Sequence, residues 1–362
     1  MIKVFHIIHH FDLGGAERIA INIAKSSNPE FEYHLVEIEQ TNSNFRREVL
    51  KEIELAGICY HCSPVKKTKL AILLFPFWFF GLYLKHKPHI IHTHTEIPDL
   101  SIWLFNMLTF LILLKTKYVR TIHNTVLWTD WKGIGKIIEP FFMRKGNNVS
   151  ISKAVQNNYL VNYKAMTPIV YNGIQISPQQ TFKTLVSNTK NVLFAGRFEY
   201  QKGIDQLIEI VQQLENDNRY YFHIVGSGSK ENKVKEMLQN KRNVCIYNKI
   251  PNLSRYLASF DYLFMPSNFE GLALLPIEAG MSKTPPIINS CLGLDETLPQ
   301  NWLLKVQNNS VEQYVHIFKE VLPMINYDKL ANEAYNYAKE NFTMEKMQQQ
   351  YEAIYLNVLS CS

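Results

Sequence analysis

The sequence predicts an α/β protein made of two doubly wound, Rossmann-like domains that face each other across a cleft. Short apolar runs of strand length alternate with longer helical stretches along the whole chain, which is the pattern of parallel sheets. The chain has 362 residues, 46% of them hydrophobic, which is enough for two domains with sizeable cores. The composition excludes disordered, collagen-like and coiled-coil proteins, and five cysteines favour a reducing, cytoplasmic compartment over a disulfide scaffold.

Each half of the chain supplies five strand candidates separated by helical stretches, the inventory of one doubly wound domain. The first five are Lys3–Ile8, Tyr33–Ile38, His89–His92, Tyr118–Ile122 and Asn148–Ile151, and the second five are Asn191–Phe194, Tyr221–Val225, Val244–Tyr247, Tyr262–Met265 and Pro286–Asn289. The polar segment 175–190 is predicted to be a linker between a first domain of residues 1–174 and a second of residues 191–342. One long helical pattern over Tyr335–Leu359 closes the chain.

The charge is divided unevenly between the two halves. The whole chain carries a formal charge of +6, but residues 1–180 carry +7 and the remainder carries −1. Ten of the twelve histidines also lie in the first half. The excess is too small to indicate nucleic-acid binding, but the division predicts two surfaces with different partners.

Two stretches of fifteen residues, Leu70–Leu84 and Leu100–Leu114, contain no charged residue. A membrane-spanning helix needs about 18–20 apolar residues, so both are expected to be core helices. Lysines flank the first stretch on both sides and follow the second. A further hypothesis is therefore that one of these helices rests on an anionic membrane surface. The N-terminal run is too short and too polar for a signal peptide.

The first candidate ligand-binding turn follows the first strand, where Gly14 and Gly15 precede a helix. Glycines allow a ligand to approach the backbone closely, and the free N–H groups of a helix N-terminus suit a phosphate. The turn lacks the G-x-G-x-x-G spacing, so it does not indicate NAD binding.

Two cations follow the first strand of the second half. Arg197 leaves the strand, and Lys202 stands just before the next helix. At the carboxyl edge of a parallel sheet these side chains are suited to binding a diphosphate, although two solvated surface charges would give the same pattern.

Two carboxylates follow the strand Tyr262–Met265, within the segment 266–280. Glu270 lies in the loop, and Glu278 falls in the helix that Pro276 helps to begin. Carboxylates at the mouth of a sheet accept hydrogen bonds from sugar or ribose hydroxyls. A purely structural Glu278, stabilised by the helix dipole, is the alternative.

Together these motifs resemble the GT-B-fold glycosyltransferases of family 4, the retaining, nucleotide-sugar-dependent group. The resemblance rests on Gly14-Gly15-Ala16-Glu17, on Arg197 with Lys202-Gly203, and on Glu270-x7-Glu278, and it covers nearly the whole chain. It implies GT-B architecture, with the C-terminal segment, about 343–362, packing back on the first domain. It also implies that the first domain faces the acceptor and the second binds the donor.

The resemblance implies four catalytic residues. Arg197 and Lys202 would neutralise the donor diphosphate and stabilise it as a leaving group, in place of a metal ion. Glu270 would contact hydroxyls of the transferred sugar. His123 matches a position at the reacting centre, near the sugar and the incoming acceptor.

The resemblance further implies a set of donor-binding residues: Gly14, Gly15, Ile250, Gly271, Leu272, Ala273 and Glu278. The glycine turn would contact the diphosphate, and the backbone of residues 271–273 would contact the sugar. Glu278 would bind the ribose, and the loop containing Ile250 would border the base. No metal or other cofactor is implied, because a UDP- or GDP-linked sugar is a substrate.

The predicted function is transfer of a hexose or N-acetylhexosamine, with retention, to a lipid-linked or growing surface glycan. Capsule, exopolysaccharide and O-antigen synthesis are the processes implied, in the cytoplasm or at the inner face of the membrane. Two alternatives stay open at this point: a nucleotide-sugar epimerase of the same fold, and a non-catalytic sugar-nucleotide-binding protein.

Two further motifs are given less weight. Cys59-Tyr60-His61-Cys62 has the C-x-x-C spacing, but a zinc site needs four ligands and no second pair exists in the sequence. His92 and His94 share one strand face and could form a three-histidine metal site with His123. Histidines lining the acceptor side of the cleft are the preferred interpretation.

Overall fold

The fold is described from a computed structural model that covers residues 1–11, 15–109, 116–129, 131–175 and 177–360. Gly14 and the end of the predicted helix Leu100–Leu114 lie outside these ranges. The chain forms two compact units, residues 1–173 with 344–362 and residues 174–343. Both are α/β, as the sequence predicts.

The strands are short and the helices lie between them in sequence. The strands are β1 (Ile2–Ile8), β2 (Phe31–Glu37), β3 (Cys59–Cys62), β4 (Ile90–His94), β5 (Lys117–Ile122), β6 (Asn148–Ser150), β7 (Lys190–Ala195), β8 (Tyr220–Val225), β9 (Val244–Tyr247), β10 (Tyr262–Met265), β11 (Pro286–Asn289) and β12 (Lys305–Val306). The helices are α1 (Gly15–Ala24), α2 (Asn44–Leu55), α3 (Thr68–His86), α4 (Glu96–Leu108), α5 (Lys132–Lys145), α6 (Lys153–Tyr163), α7 (Ile204–Gln213), α8 (Glu231–Leu238), α9 (Leu274–Met281), α10 (Val311–His316), α11 (Tyr327–Asn341) and α12 (Met344–Ser360).

Each unit contains one parallel sheet, of six strands within the described ranges. The order is β3-β2-β1-β4-β5-β6 in the first unit and β12-β11-β10-β7-β8-β9 in the second. In both units the order reverses beside the first strand in sequence, so that each sheet is doubly wound and has its ligand-binding edge at the carboxyl ends of the strands. This confirms the predicted fold class.

Two details of the sequence prediction were wrong. The strand inventory missed β3 and β12, which have four and two residues and carry little periodic signal. The last helical pattern is two helices, because α11 ends at Asn341 and α12 begins at Met344. The Ile174 N–H donates to the Phe342 carbonyl oxygen at 2.9 Å, so the break between the helices is held by the start of the second unit.

Helix α12 completes the first unit. Its buried face carries Tyr351, Tyr355 and Val358, which join the core cluster formed by α1, β1 and β2. The Tyr355 hydroxyl lies 2.8 Å from His92 Nδ1, and the Tyr351 hydroxyl lies 2.8 Å from Thr121 Oγ1. The helix is therefore joined to strands β4 and β5 by hydrogen bonds as well as by apolar packing.

Helix α3 is apolar on all sides but only partly buried. Phe75, Phe79 and Tyr83 pack into the core of the first unit. An exposed stripe runs along the opposite side: Leu70, Leu73, Leu74, Phe77 and Leu84. Among the described helices, α3 alone is long and apolar enough to cross a membrane by length and composition, a test that a core helix also passes.

Candidate active site

A buried ion pair occupies the carboxyl edge of the second sheet. Lys202, in the turn between β7 and α7, places its Nζ 2.6 Å from Glu270 Oε1 in the loop after β10. The Gln201 amide donates to the other oxygen of Glu270 at 3.1 Å. Because both side chains are mostly shielded from solvent, the pair is screened less than a surface ion pair. The structure therefore brings together two residues that the sequence placed 68 positions apart.

The loops around this pair touch each other through their backbones. Gly203 has φ +65°, and a Cβ there would lie 1.7 Å from the Pro266 carbonyl oxygen. Gly293 has φ +77°, and a Cβ there would lie 2.1 Å from the Glu270 carbonyl oxygen. Only glycine fits at either position, so side-chain substitutions would displace the loop that carries Glu270.

The hydrogen bonds of that loop correct one prediction. The Ala273 N–H donates to the Gly293 carbonyl oxygen at 3.0 Å, so it is not available to a sugar hydroxyl. The Glu270 N–H donates to the Leu292 carbonyl oxygen in the same way. The contacts of the Gly271 and Leu272 backbone with the transferred sugar stay predictions.

Arg197 is the exposed cation of this edge. It follows β7, and its guanidinium donates to the Gln201 side-chain oxygen at 3.4 Å. Gln201 therefore contacts both Arg197 and Glu270, which places the two predicted diphosphate ligands, Arg197 and Lys202, on either side of it.

Glu278 lies on α9, apart from the ion pair between Lys202 and Glu270. It borders a small cavity with Ser177, Gln179, Ser254 and Ser282. Burial raises the pKa of the Glu278 carboxyl to about 7. Ile174 and Met281 also line this cavity, whereas Lys202 and Glu270 do not.

Two other predicted donor-binding residues, Ile250 and Gly15, are not part of this ion pair. The Ile250 side chain packs in the core of the second unit, so it is not a surface for a nucleotide base. Gly15 begins α1 in the first unit, and no atom of the residues that the structure describes lies within 4 Å of a Cβ built on it. The predicted contact of Gly15 with the donor diphosphate stays a prediction.

His123 follows β5 in the first unit and belongs to a histidine network. The sequence prediction groups His123 with His92 and His94 but misses His6. His123 Nε2 lies 3.2 Å from His94 Nδ1, and His94 Nε2 lies 2.9 Å from His6 Nδ1. Burial lowers the pKa of His123 to about 3 and that of His6 to about 3. These rings are therefore neutral at physiological pH, and hydrogen bonds link His6 to His94 and His94 to His123.

His92 and His94 do not line a surface, contrary to the preferred interpretation. Both are buried within β4, and His92 bonds to Tyr355 and Thr121 instead. The structure groups His92 and His94 with His6, rather than with His123, as a possible three-nitrogen metal site. Both ring nitrogens of His92 and both of His94 already lie within hydrogen-bond distance of other side chains, so this group is better explained as a hydrogen-bonded core network.

A cavity of about 380 Å³ lies between the loop after β5 and helices α5 and α6. Ile122 and Asn124, the neighbours of His123 in the sequence, line it, but His123 itself does not. Its walls include Trp128 and Tyr159, with Lys132 and Lys136 from α5. Trp128 has φ +57°, an uncommon conformation for a bulky residue, and its indole donates to Glu139 at 2.6 Å. Strained residues of this kind cluster at functional sites.

Comparison with known proteins identifies the class. The model of the glycosyltransferase family 4 domain matches residues 13–177, and that of the glycosyl transferases group 1 matches residues 177–341. A capsular polysaccharide biosynthesis glycosyltransferase of Staphylococcus aureus, CapH, is 26% identical over 297 residues, covering 77% of this chain and 79% of that protein.

Solved structures agree on the fold. A glycosyltransferase from Rickettsia africae superposes with a TM-score of 0.82 at 20% identity, covering 100% of this chain and 99% of the other. Anabaena HepE in complex with UDP and glucose superposes at 0.74 with 16% identity, covering 98% and 99%. The chain belongs to the GT-B-fold glycosyltransferases of the family 4 type.

Proposed function

We propose that this glycosyltransferase moves a hexose or N-acetylhexosamine, with retention, from a nucleotide diphosphate sugar to a lipid-linked or growing surface glycan. Its likeness to CapH supports a role in capsule or cell-surface polysaccharide synthesis. The observation that carries the proposal is the Lys202–Glu270 ion pair, joined through Gln201 to Arg197, at the carboxyl edge of the second sheet.

The two cations act on the leaving group. As the bond between the sugar C1 and the phosphate oxygen breaks, negative charge grows on the diphosphate. Lys202 and Arg197 stabilise that charge, Arg197 through a forked guanidinium and Lys202 as a point charge held by Glu270. Two fixed cations make a bound metal unnecessary for this step in the proposed mechanism.

Glu270 has two tasks in this proposal. One oxygen holds Lys202, and its remaining lone pairs accept hydrogen bonds from hydroxyls of the transferred sugar. Glu278, on α9, is proposed to bind the ribose hydroxyls of a UDP or GDP donor, as the family resemblance implies. HepE, whose structure contains UDP and glucose, has the same fold and supports a nucleotide-sugar donor.

The acceptor is proposed to bind at the cavity between the loop after β5 and helices α5 and α6. Its aromatic walls suit a sugar ring, and Lys132 and Lys136 suit an anionic group. The acceptor oxygen bonds to C1, and its proton passes to the departing phosphate, so no protein base is required. His123, which does not line this cavity, keeps the role that the family resemblance implies, near the sugar and the incoming acceptor, and its ring is neutral.

Glu270→Ala is the central test, measured as sugar transfer from nucleotide sugars to a membrane-derived acceptor fraction. We expect a loss of at least 100-fold in rate, as for removal of a transition-state electrostatic contact. Lys202→Met should fail in the same way. Lys241→Met is the matched control, because Lys241 forms an ion pair of the same length, 2.6 Å, with Glu215.

Other outcomes separate the alternatives. Full transfer by Glu270→Ala would refute the site. Conversion of the donor sugar without any acceptor would indicate the epimerase of the same fold. A melting-temperature rise with a nucleotide sugar, without transfer or conversion under any condition, would indicate a binding protein.

We further propose that the exposed stripe of α3 rests on the anionic cytoplasmic face of the membrane. Because the other side of α3 is packed in the core, the helix lies on a surface rather than crossing it. Wild-type protein should sediment with vesicles of phosphatidylglycerol and lose this binding in Phe77→Asp, with exposed Leu356→Asp on α12 as the control. Equal binding by Phe77→Asp and wild type would refute the contact.

A further inference from the structure

Three metal-ligating side chains meet at the outer edge of the first unit's sheet. β3 is the edge strand, and Cys59 lies directly opposite His34 of β2. Glu32 stands two residues before His34, so all three side chains share one face of the sheet. One ligand atom from each lies within 4.8 Å of those of the other two. The C-x-x-C motif therefore contributes one thiol here, not two.

The chemistry of the trio fits a divalent cation. A carboxylate and a thiolate together supply two negative charges, and the imidazole adds a neutral nitrogen. Zn²⁺ takes these three ligand types, and it leaves a fourth position for water in open sites. The buried His6, His92 and His94 group offers no such charge balance.

The residues around His34 fix the orientation of its ring, as is common for a histidine that binds a metal. His34 Nε2 lies 2.8 Å from Glu32 Oε1, and His34 Nδ1 lies 2.8 Å from His61 Nε2. A metal-bound histidine commonly uses its second nitrogen in such a hydrogen bond, which fixes the ring. His34 is 1% exposed and stacks on Phe5 with ring centroids 4.4 Å apart, so its orientation is set before any ion arrives.

Solvent reaches the other two ligands. Cys59 is exposed, and the Glu32 side chain is 27% exposed. An ion can therefore enter from the surface, displace the hydrogen bond between Glu32 and His34, and release the thiol proton of Cys59 to water. Lys3, which is in register with Glu32 across β1 and β2, is the cation whose charge acts on Glu32 and opposes binding.

We propose that Glu32, His34 and Cys59 form a zinc site that joins the edge strand β3 to β2. Both strands belong to the first unit, so the site does not depend on the proposed transfer reaction. The bound ion stabilises a strand of only four residues that has a neighbour on one side alone.

Cobalt titration of the full chain tests the site, because thiolate-bound Co²⁺ absorbs in the near ultraviolet. The protein is freed of metal with a chelator and kept reduced with a phosphine. We expect one equivalent of Co²⁺ to give this absorption and one equivalent of Zn²⁺ to remove it. Cys59→Ser should abolish the absorption, and Glu32→Gln should weaken binding at least tenfold.

Cys62→Ser is the matched control, because Cys62 lies on the same strand but contacts Arg46 and Ser63 on the other face. It should bind cobalt like the wild type. Zn²⁺ should also raise the melting temperature of the wild type by several degrees and leave that of Cys59→Ser unchanged. Sub-stoichiometric binding, absorption without a thiolate band, or a band that survives Cys59→Ser would each overturn the proposal.

Discussion

Glu278 shows how one buried side chain links ligand binding to stability. Glu278 lies on α9 beside a small cavity, and burial raises the pKa of its carboxyl to about 7 from an ordinary value of 4.5. The folded protein therefore holds this proton more tightly than the unfolded chain does. Folding stability attributable to Glu278 falls as the pH rises from about 4.5 to 7 and is constant above that range.

Glu278→Gln removes this dependence. We expect the variant to be more stable than the wild type at pH 8, by about 1–3 kcal/mol, because no carboxylate has to be buried. It should also bind the nucleotide donor more weakly, since an amide accepts fewer hydrogen bonds from ribose hydroxyls than a carboxylate. Chemical denaturation at pH 5 and pH 8 measures the first effect and calorimetric titration with UDP or GDP measures the second. A variant less stable than the wild type at pH 8 would contradict the account.

The sequence could predict residues that share a short motif, but not those that meet through strand register. Glu270 and Glu278 stand in one recognisable segment, and Arg197 with Lys202 in another. His6, His94 and His123 come from three different strand ends, and only the parallel pairing of β1, β4 and β5 brings them together. No local pattern marks such a network, because its spacing is set by the order of the strands.

At the scale of elements, boundaries depend on contacts that are distant in sequence. The five strands predicted in each half are present, because buried parallel strands read as continuous apolar runs. The sequence did not reveal β3, because its Cys, Tyr, His and Cys side chains form hydrogen bonds on both faces of the sheet and give no apolar pattern. The division between α11 and α12 has no glycine or proline, so periodicity alone could not locate it.

The attachment of α12 can be tested through one hydroxyl. Tyr355→Phe keeps the packing of the ring but leaves His92 Nδ1 without its partner in a buried site. We expect a loss of about 1–2 kcal/mol in the free energy of unfolding. Leu356→Ala, on the exposed side of the same helix, should change stability by less than about 0.5 kcal/mol. Equal effects of the two substitutions in urea denaturation would show that the hydroxyl contributes nothing.

At the scale of the whole molecule, the two units should respond differently to acid. In the first unit, burial lowers the pKa of His6, His92, His94 and His123, so the native state does not accept protons that the unfolded chain accepts below about pH 6.5. Each such histidine therefore lowers the stability of the first unit as the pH falls below that value. Asp99 in the first unit and Glu278 in the second act in the opposite direction, because burial raises the pKa of each carboxyl to about 7. His223 in the second unit acts in the same direction as the four histidines, so the first unit has more groups that destabilise it in acid.

The melting temperature of the first unit is therefore expected to fall more steeply than that of the second between pH 7.5 and 5.5. Calorimetry at the two pH values measures both transitions. The tryptophan fluorescence of Trp302→Phe assigns the transitions to the units, because the other four of the five tryptophans lie in the first unit. Parallel shifts of the two transitions would show that the buried histidines do not govern acid stability.

The return of α12 to the first unit affects how the protein is made. A ribosome delivers residues 1–173 first, then the whole second unit, and only afterwards the helix that covers the apolar face formed by α1, β1 and β2. Domains usually fold in the order of their synthesis. Here the apolar surface of the first unit stays exposed until the second unit has been synthesised and α12 has followed it. In nascent chains stalled before residue 344, we therefore expect the first unit to bind chaperones. Once α12 has left the ribosome and packed on the first unit, we expect the chaperones to dissociate.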